Sequence, residues 1–405
     1  MIAIPRICIN SQLLSFDEAK SLILSSFKSP NNRTSMPTAD SCGYVIAEPV
    51  YSQRTNPPLI LSGPDGIAVR SGETSNASEN NPVEVEAPRV NTGMPLPEGY
   101  DAVIAVEEIT AVTDTRSLIY KPVSSHQNTI AKGVDIKKGD LLFDCGHVIR
   151  AFDVGAMLSY GILDVSVKTW KVGVVATGDE IISPYTEPKP GQIVDSNSYM
   201  IASALRQFGV TPVLYPVLND DPDAISAGIK TMISECDMVL IFGGSSAGSK
   251  DYTVDAMEQS GTLLFHGVAM GPGKPVTLAQ VNNKPVFGMP GPSISTMAVL
   301  YELIFPLLSE WCVPIPSPTY IKGILTNPVP SIEGFDIFRL VRVRSENDKT
   351  LITPVPWVFG HMMGIQADAI LHKKAGSDTF IQGQEVDVRM VEPNFSEPSW
   401  IHAYQ

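Results

Sequence analysis

Acidic side chains beside glycine turns are the residues of this chain best placed to do chemistry. Asp179 and Glu180 follow the apolar run Lys171–Ala176, and Asp220 and Asp221 follow Pro212–Val217. Asp251 ends the loop after Met238–Phe242, and Asp195 sits in Gly191–Asn197 at the start of a helix. Acids at successive strand ends suit a hard cation such as Mg2+, which takes oxygen ligands and bridges to phosphates. Asp220 and Asp251 are the expected metal ligands. The competing reading is helix capping, since Asp favours N-caps. Asp221, directly before Pro222, fits a cap well.

Three glycine turns lie within Asp237–Ser295, each next to an apolar run. They are Gly243-Gly244-Ser245-Ser246-Ala247-Gly248, Gly271-Pro272-Gly273-Lys274-Pro275 and Gly288-Met289-Pro290-Gly291-Pro292. Apolar runs that end in glycine read as buried parallel strands, and ligands bind off the carboxyl ends of such strands. Glycine lets backbone N–H groups converge on an anion. Together the turns predict a pocket for a phosphate-bearing ligand, with Lys274 as a point charge for an oxyanion. Gly244–Gly248 also fits the Gly-x-Ser-x-Gly elbow of a serine hydrolase around Ser246. Gly248 and Ser249 delay the helix that such an elbow needs, and no histidine follows in a fitting context.

These residues need a scaffold. From Trp170 onward, predicted strands and helices alternate to a long helix at Ile294–Ser309, which implies a doubly wound sheet covered on both faces. Around it the expected organisation is α/β multidomain. A mixed domain is expected from residues 1–44 plus 133–168, with its first helix opened by Ser15 and Glu18 at capping-box spacing. A small β domain is inserted at 45–132, the α/β domain spans 169–314, and a C-terminal β domain spans 315–405.

Composition narrows the function. The 405 residues are 43% hydrophobic and 18% charged, which fits a globular chain. A net charge of −14 without a Lys/Arg run argues against nucleic-acid binding. Five scattered cysteines with no Cys-x-x-Cys fit a reducing compartment. No uninterrupted apolar run approaches the ~18 residues of a membrane helix, so a cytoplasmic location without membrane contact is expected.

The order of motifs resembles the molybdopterin molybdenumtransferase family (MoeA, and the E domain of gephyrin) along nearly the whole chain. Pro64-Asp65-Gly66-Ile67-Ala68 is similar to that family's Met-Asp-Gly-Tyr-Ala. Thr92-Gly93-Met94-Pro95-Leu96-Pro97, Thr177-Gly178-Asp179-Glu180, Asp195-Ser196-Asn197, Pro272-Gly273-Lys274-Pro275 and Pro290-Gly291 follow in family order. The resemblance implies a four-domain homodimer with sites shared between subunits. It implies transfer of molybdate into adenylylated molybdopterin with release of AMP and a divalent cation, with the molybdopterin adenylyltransferase as a candidate partner. Motifs and resemblance together nominate Asp65, Glu180, Asp220, Asp251 and Lys274 for catalysis. For the pterin they nominate Thr92, Thr177, Gly178, Asp179, Asp195, Ser196, Asn197, Gly243, Gly244, Ser245, Ser246, Pro275, Pro290, Gly291 and Ser295. The chain departs from the family at Pro64, Ile67, Gly271 (a family lysine), Pro292 (a family asparagine) and Met362-Met363 (family serines). A tungstate-inserting relative and a non-catalytic pterin-binding scaffold are the alternatives these departures leave open.

Overall fold

The computed structural model describes residues 13–243, 252–357 and 360–391. The chain divides into two compact units, residues 33–168 and residues 1–32 with 169–405.

In the first unit, Arg33–Pro37 pairs antiparallel with Asp164–Lys168, and the helix Ala151–Ser159 packs nearby. Ile46, Ile149, Met157 and Val167 form the core there. A separate β layer centres on Gly66–Val69, flanked by Arg89–Val90 and Ala102–Ala105. Its alternating small apolar residues leave the backbones so close that a Cβ at Gly66 would lie 1.9 Å from the Ile104 carbonyl oxygen. Only glycine fits there.

The larger unit holds a six-stranded sheet. Its order is Thr211–Leu214, Lys171–Ala176, Met238–Phe242, Lys284–Met289, Thr277–Val281, Thr262–His266. The first four strands run parallel and the last two antiparallel. Met238–Phe242 is buried at every position, as a strand covered on both faces must be. The helices Pro222–Glu235 and Tyr252–Ser260 bring Ile225, Ile229 and Met257 onto Val175, Ile241 and Val286.

The antiparallel edge corrects one expectation. The apolar run before Gly271 is not a single parallel strand. Thr262–His266 ends early, and Met270–Gly271 pairs instead with Asp336–Ile337 of the C-terminal sheet. In that sheet Asp336–Glu346 pairs with both Lys349–Pro354 and Ala369–Lys373, so the strands curl around Leu325, Val341, Ile352 and Val388.

The first helix corrects another. The sequence grouped it with residues 133–168. It folds with the larger unit because its apolar face, Phe16, Ala19 and Ile23, finds its partners there. The Phe16 ring meets Phe338 edge-on at 5.1 Å, and the Trp311 indole donates to the Phe27 carbonyl. The capping box is present: Ser15 Oγ accepts from the Glu18 amide, and the Glu18 carboxylate accepts from the Ser15 amide. Local caps are legible in sequence; the surface a helix docks on is not.

Among the described residues one helical run, Ser293–Glu310, is long and apolar enough to cross a membrane, and half of it is buried within the fold. It passes through a π turn at Leu300–Ile304. Glu302 in that turn pairs with Arg389 of the C-terminal sheet, with side chains only 11% and 16% exposed. Burial pushes the Glu302 carboxyl upward, and Arg389 opposes that shift. Arg389→Ala leaves a buried charge uncompensated and is expected to cost about 3 kcal/mol, read by urea unfolding. A loss below about 1 kcal/mol would show that water reaches Glu302.

Candidate active site at the strand ends

The sheet order places the second strand on one side of the first and the third on the other. The chain reverses its winding between Lys171–Ala176 and Met238–Phe242, and the crevice off such a switch point is where α/β sheets bind ligands. Thr177 and Gly243 stand at that point. The Thr177 amide donates to the Phe242 carbonyl at 2.6 Å, and the Gly178 amide to Leu218 at 3.1 Å. Gly243 has φ +108°, and a Cβ there would sit 2.2 Å from the Thr177 carbonyl oxygen. Thr253 Oγ1 donates to the Gly243 carbonyl. Thr177 is 1% exposed, yet its hydroxyl has no hydrogen-bond partner among the described residues. A buried hydroxyl left without a partner is costly unless a ligand completes it.

The carboxylates gather at the same end. The Asp220 amide donates to Asp179 Oδ1 at 3.4 Å. Asp220 is half-buried, and its own Oδ1 is buried without a partner among the described residues. Its carboxyl is pushed above the ordinary aspartate range, first by burial and then by the charges of Glu180 and Asp179. An acid under that pressure suits a cation, because a bound cation reverses both effects. Asp220 would hold one through oxygen. Among the described residues no three such side chains stand at metal-ligand spacing. Asp251, Gly244, Ser245 and Ser246 lie outside the described residues. Asp221 is the helix cap its sequence indicated, accepting from the Asp223 amide ahead of Pro222.

A second group assembles beside the first. Ile181–Ile182 pairs in parallel with Ile193–Val194, which carries the chain from Glu180 to Asp195. Asp195 accepts from the Ser198 amide, and that cap leaves the Ser196 side chain free of the helix end. Ser196 Oγ instead meets His361 Nε2 at 3.1 Å, and Asn197 Nδ2 donates to the Gly291 carbonyl at 2.7 Å. Thr296 Oγ1 holds the Pro290 carbonyl. The Asp195–Asn197 and Pro290–Gly291 motifs are therefore one wall, with Ser295 on the helix that follows. Lys274 is exposed, with its ammonium 5.9 Å from the centre of the Phe335 ring, and Pro275 follows it. His361 was missed as a site residue. It lies 165 positions from Ser196, and nothing local marks it.

In the smaller unit, Asp65 accepts from both the amide and the hydroxyl of Thr92, at 2.6 and 3.0 Å. Those bonds hold its carboxyl below the usual range. The structure therefore brings two sequence-nominated residues together, both exposed.

Comparison with known proteins decides the family. Residues 14–161 match the MoeA N-terminal region (domains I and II), and residues 173–310 match a probable molybdopterin binding domain. A putative molybdopterin biosynthesis protein of Methanocaldococcus jannaschii is 32% identical over 278 residues, 64% of this chain and 69% of that protein. The chain belongs to the MoeA family. A molybdopterin molybdenumtransferase of Staphylococcus epidermidis is 29% identical over 388 residues, 89% of this chain and 92% of the relative. The crystal structure of a molybdopterin biosynthesis MoeA protein from Pyrococcus horikoshii superposes with TM-score 0.82 at 29% identity, covering 95% of this chain and all of that one. As a MoeA family member, the chain carries its family motifs on the two groups just described and on the Asp65–Thr92 pair.

The upward shift of Asp220 makes the stability of the fold depend on pH. A raised carboxyl in the fold means that ionisation costs stability, so its contribution is full below about pH 4 and is lost as pH rises through the carboxylate range. Asp220→Asn is expected to melt above wild type at pH 7, with the gap closing near pH 3.5. Millimolar Mg2+ is expected to raise the wild-type melting temperature and leave the variant unmoved. A variant that melts lower than wild type at pH 7 would mean that Asp220 is already paired.

Proposed function

We propose that this chain is a molybdopterin molybdenumtransferase, which takes adenylylated molybdopterin and molybdate to the molybdenum cofactor and AMP. One coincidence carries the reading. Relatives of that name match across nearly the full chain, and the Thr177–Glu180 motif falls where the sheet reverses its winding, beside a threonine hydroxyl without a partner among the described residues and a destabilised carboxylate.

The residues divide the work by chemistry. Thr177 and the turns at Gly178 and Gly243 offer a hydroxyl and close backbone approach to phosphate oxygens. Asp220, with Asp251, would hold Mg2+, which would neutralise charge on the departing nucleotide. Asp179 and Glu180 keep the local field negative and favour that cation over water. Lys274 is free to swing onto molybdate as a mobile cation. Asn197, fixed on Gly291, keeps the opposite wall rigid, which is how binding energy becomes orientation.

We further propose a cytoplasmic homodimer in which Asp65 and Thr92 of one subunit complete the site of the other. The Thr92 bonds keep Asp65 ionised and aimed, which suits an acid that meets its site only on assembly.

Purified chain with adenylylated molybdopterin, Mg2+ and molybdate is expected to release AMP in proportion to cofactor formed. Tight pterin binding without AMP release would support a scaffold instead. Asp65→Ala and Asp220→Ala chains, each inactive alone, are expected to regain about a quarter to a half of wild-type activity when mixed, because one site of a mixed dimer is intact. No rescue after verified subunit exchange would place Asp65 in the same subunit's site.

A further inference from the structure

The turn that carries Lys274 hangs on the short segment before it. The Val268 amide donates to the Lys274 carbonyl at 3.0 Å, which closes the turn onto residues 268–270. That segment is gripped from two sides. The Ala269 amide donates to the Leu14 carbonyl at 2.8 Å, and the Asp336 amide donates to the Ala269 carbonyl at 3.0 Å. Met270–Gly271 then runs parallel to Asp336–Ile337, and the Lys274 ammonium stands 5.9 Å from the centre of the Phe335 ring. A lysine stem is flexible, so the place of its backbone decides what its charge can reach.

Asp336 is 8% exposed, and its carboxylate meets His372 Nε2 at 2.6 Å. His372 lies directly across the strand pair from Phe338, so Asp336, Phe338 and His372 share one face of the sheet. The imidazole stacks on the Phe338 ring at 4.4 Å, and the Phe16 ring of the first helix meets both edge-on. Stacking fixes the imidazole, and the imidazole fixes the carboxylate. Asp336 is the first residue of the strand Asp336–Glu346. Strand ends open most readily, so a side-chain bond there has the most to hold.

We propose that the His372–Asp336 pair is a positioning device for Lys274, fixing the strand start on which the Lys274 turn hangs and so setting the affinity of that lysine for a tetrahedral dianion of the molybdate class. The inference rests on the transferase reading for the identity of the anion, and it adds two residues that act through Lys274. The pairs of the strand beyond Ile337 do not involve the turn, so losing the His372 bond loosens the turn and leaves the sheet standing. The buried Glu302–Arg389 pair supplies a control. It ties the same sheet to the long helix through Glu385–Met390, a strand that does not pair with Asp336–Glu346.

His372→Phe keeps a ring against Phe338 and removes the bond to Asp336. His372→Gln keeps a donor. The double variant Asp336→Asn, His372→Phe removes the bond and leaves no buried charge, which covers the case in which His372→Phe does not fold. Full-length proteins are acetylated with N-acetoxysuccinimide in rising molybdate, and modification of the exposed Lys274 is read by mass spectrometry. The molybdate concentration that half-protects Lys274 is expected to rise at least about fivefold in His372→Phe and in the double variant, since small displacements of a positioned group cost much. In His372→Gln and Arg389→Ala it is expected to stay within about twofold of wild type. Amide hydrogen exchange in residues 267–276 is expected to quicken about fivefold in His372→Phe and not in Arg389→Ala. Unchanged protection in His372→Phe and the double variant overturns the proposal. So does an equal rise in Arg389→Ala, which would mean general loosening of the sheet, and so does a wild type that millimolar molybdate does not protect. AMP release from adenylylated molybdopterin is followed on the same preparations. A wild type that releases no AMP, with the rise in half-protection still present, sinks the transferase reading and supports the positioning role.

Discussion

Everything in the site depends on how closely two parallel strands approach at their carboxyl ends. The Thr177 amide reaches the Phe242 carbonyl at 2.6 Å, and a side chain at Gly243 would overlap the Thr177 carbonyl. That approach puts a buried hydroxyl, without a partner among the described residues, in a crevice where the sheet reverses its winding. Packing on both faces of the sheet makes the approach rigid, because Val175 and Ile241 beneath it are fully buried. The strand ends are therefore held in place, and a ligand reaching the threonine hydroxyl would make a bond that the described residues leave unmade.

Electrostatics acts on the same spot with the opposite sign. The chain is acidic overall, and Asp179, Glu180 and Asp220 concentrate negative charge at the strand ends where phosphates are expected. That field disfavours a bare phosphate. On the proposed reading a cation would accompany it, and the site would recognise a metal-bound nucleotide rather than a bare anion. The same charges make the unliganded site unstable at neutral pH, a cost functional sites commonly carry.

The α/β unit was legible in the sequence because its signals are local. The apolar run Met238–Phe242, the Pro222 helix start and the Ser15–Glu18 box each declare themselves within a few residues. The acids at strand ends were legible for the same reason, and so was the cap role of Asp221. Contacts between distant segments were not. The first helix docks on Phe338, over 300 positions away, and no periodicity reveals that. Met270–Gly271 reads as the end of one strand and belongs to another sheet, because two residues carry no pattern. His361 joins Ser196 through a short helix from the last domain. The family motif marked that segment, but local chemistry did not.

The central claim is that the switch-point crevice holds the nucleotide phosphates together with a cation. A crystal of the full chain grown with AMP and Mn2+, measured at an anomalous wavelength, tests it most directly. The account predicts a manganese peak within coordinating distance of an Asp220 carboxylate oxygen, about 2.2 Å, with phosphate oxygens beside Thr177 and the Gly178 and Gly243 turns. AMP bound away from these turns, or a manganese peak that leaves Asp220 untouched, would contradict it.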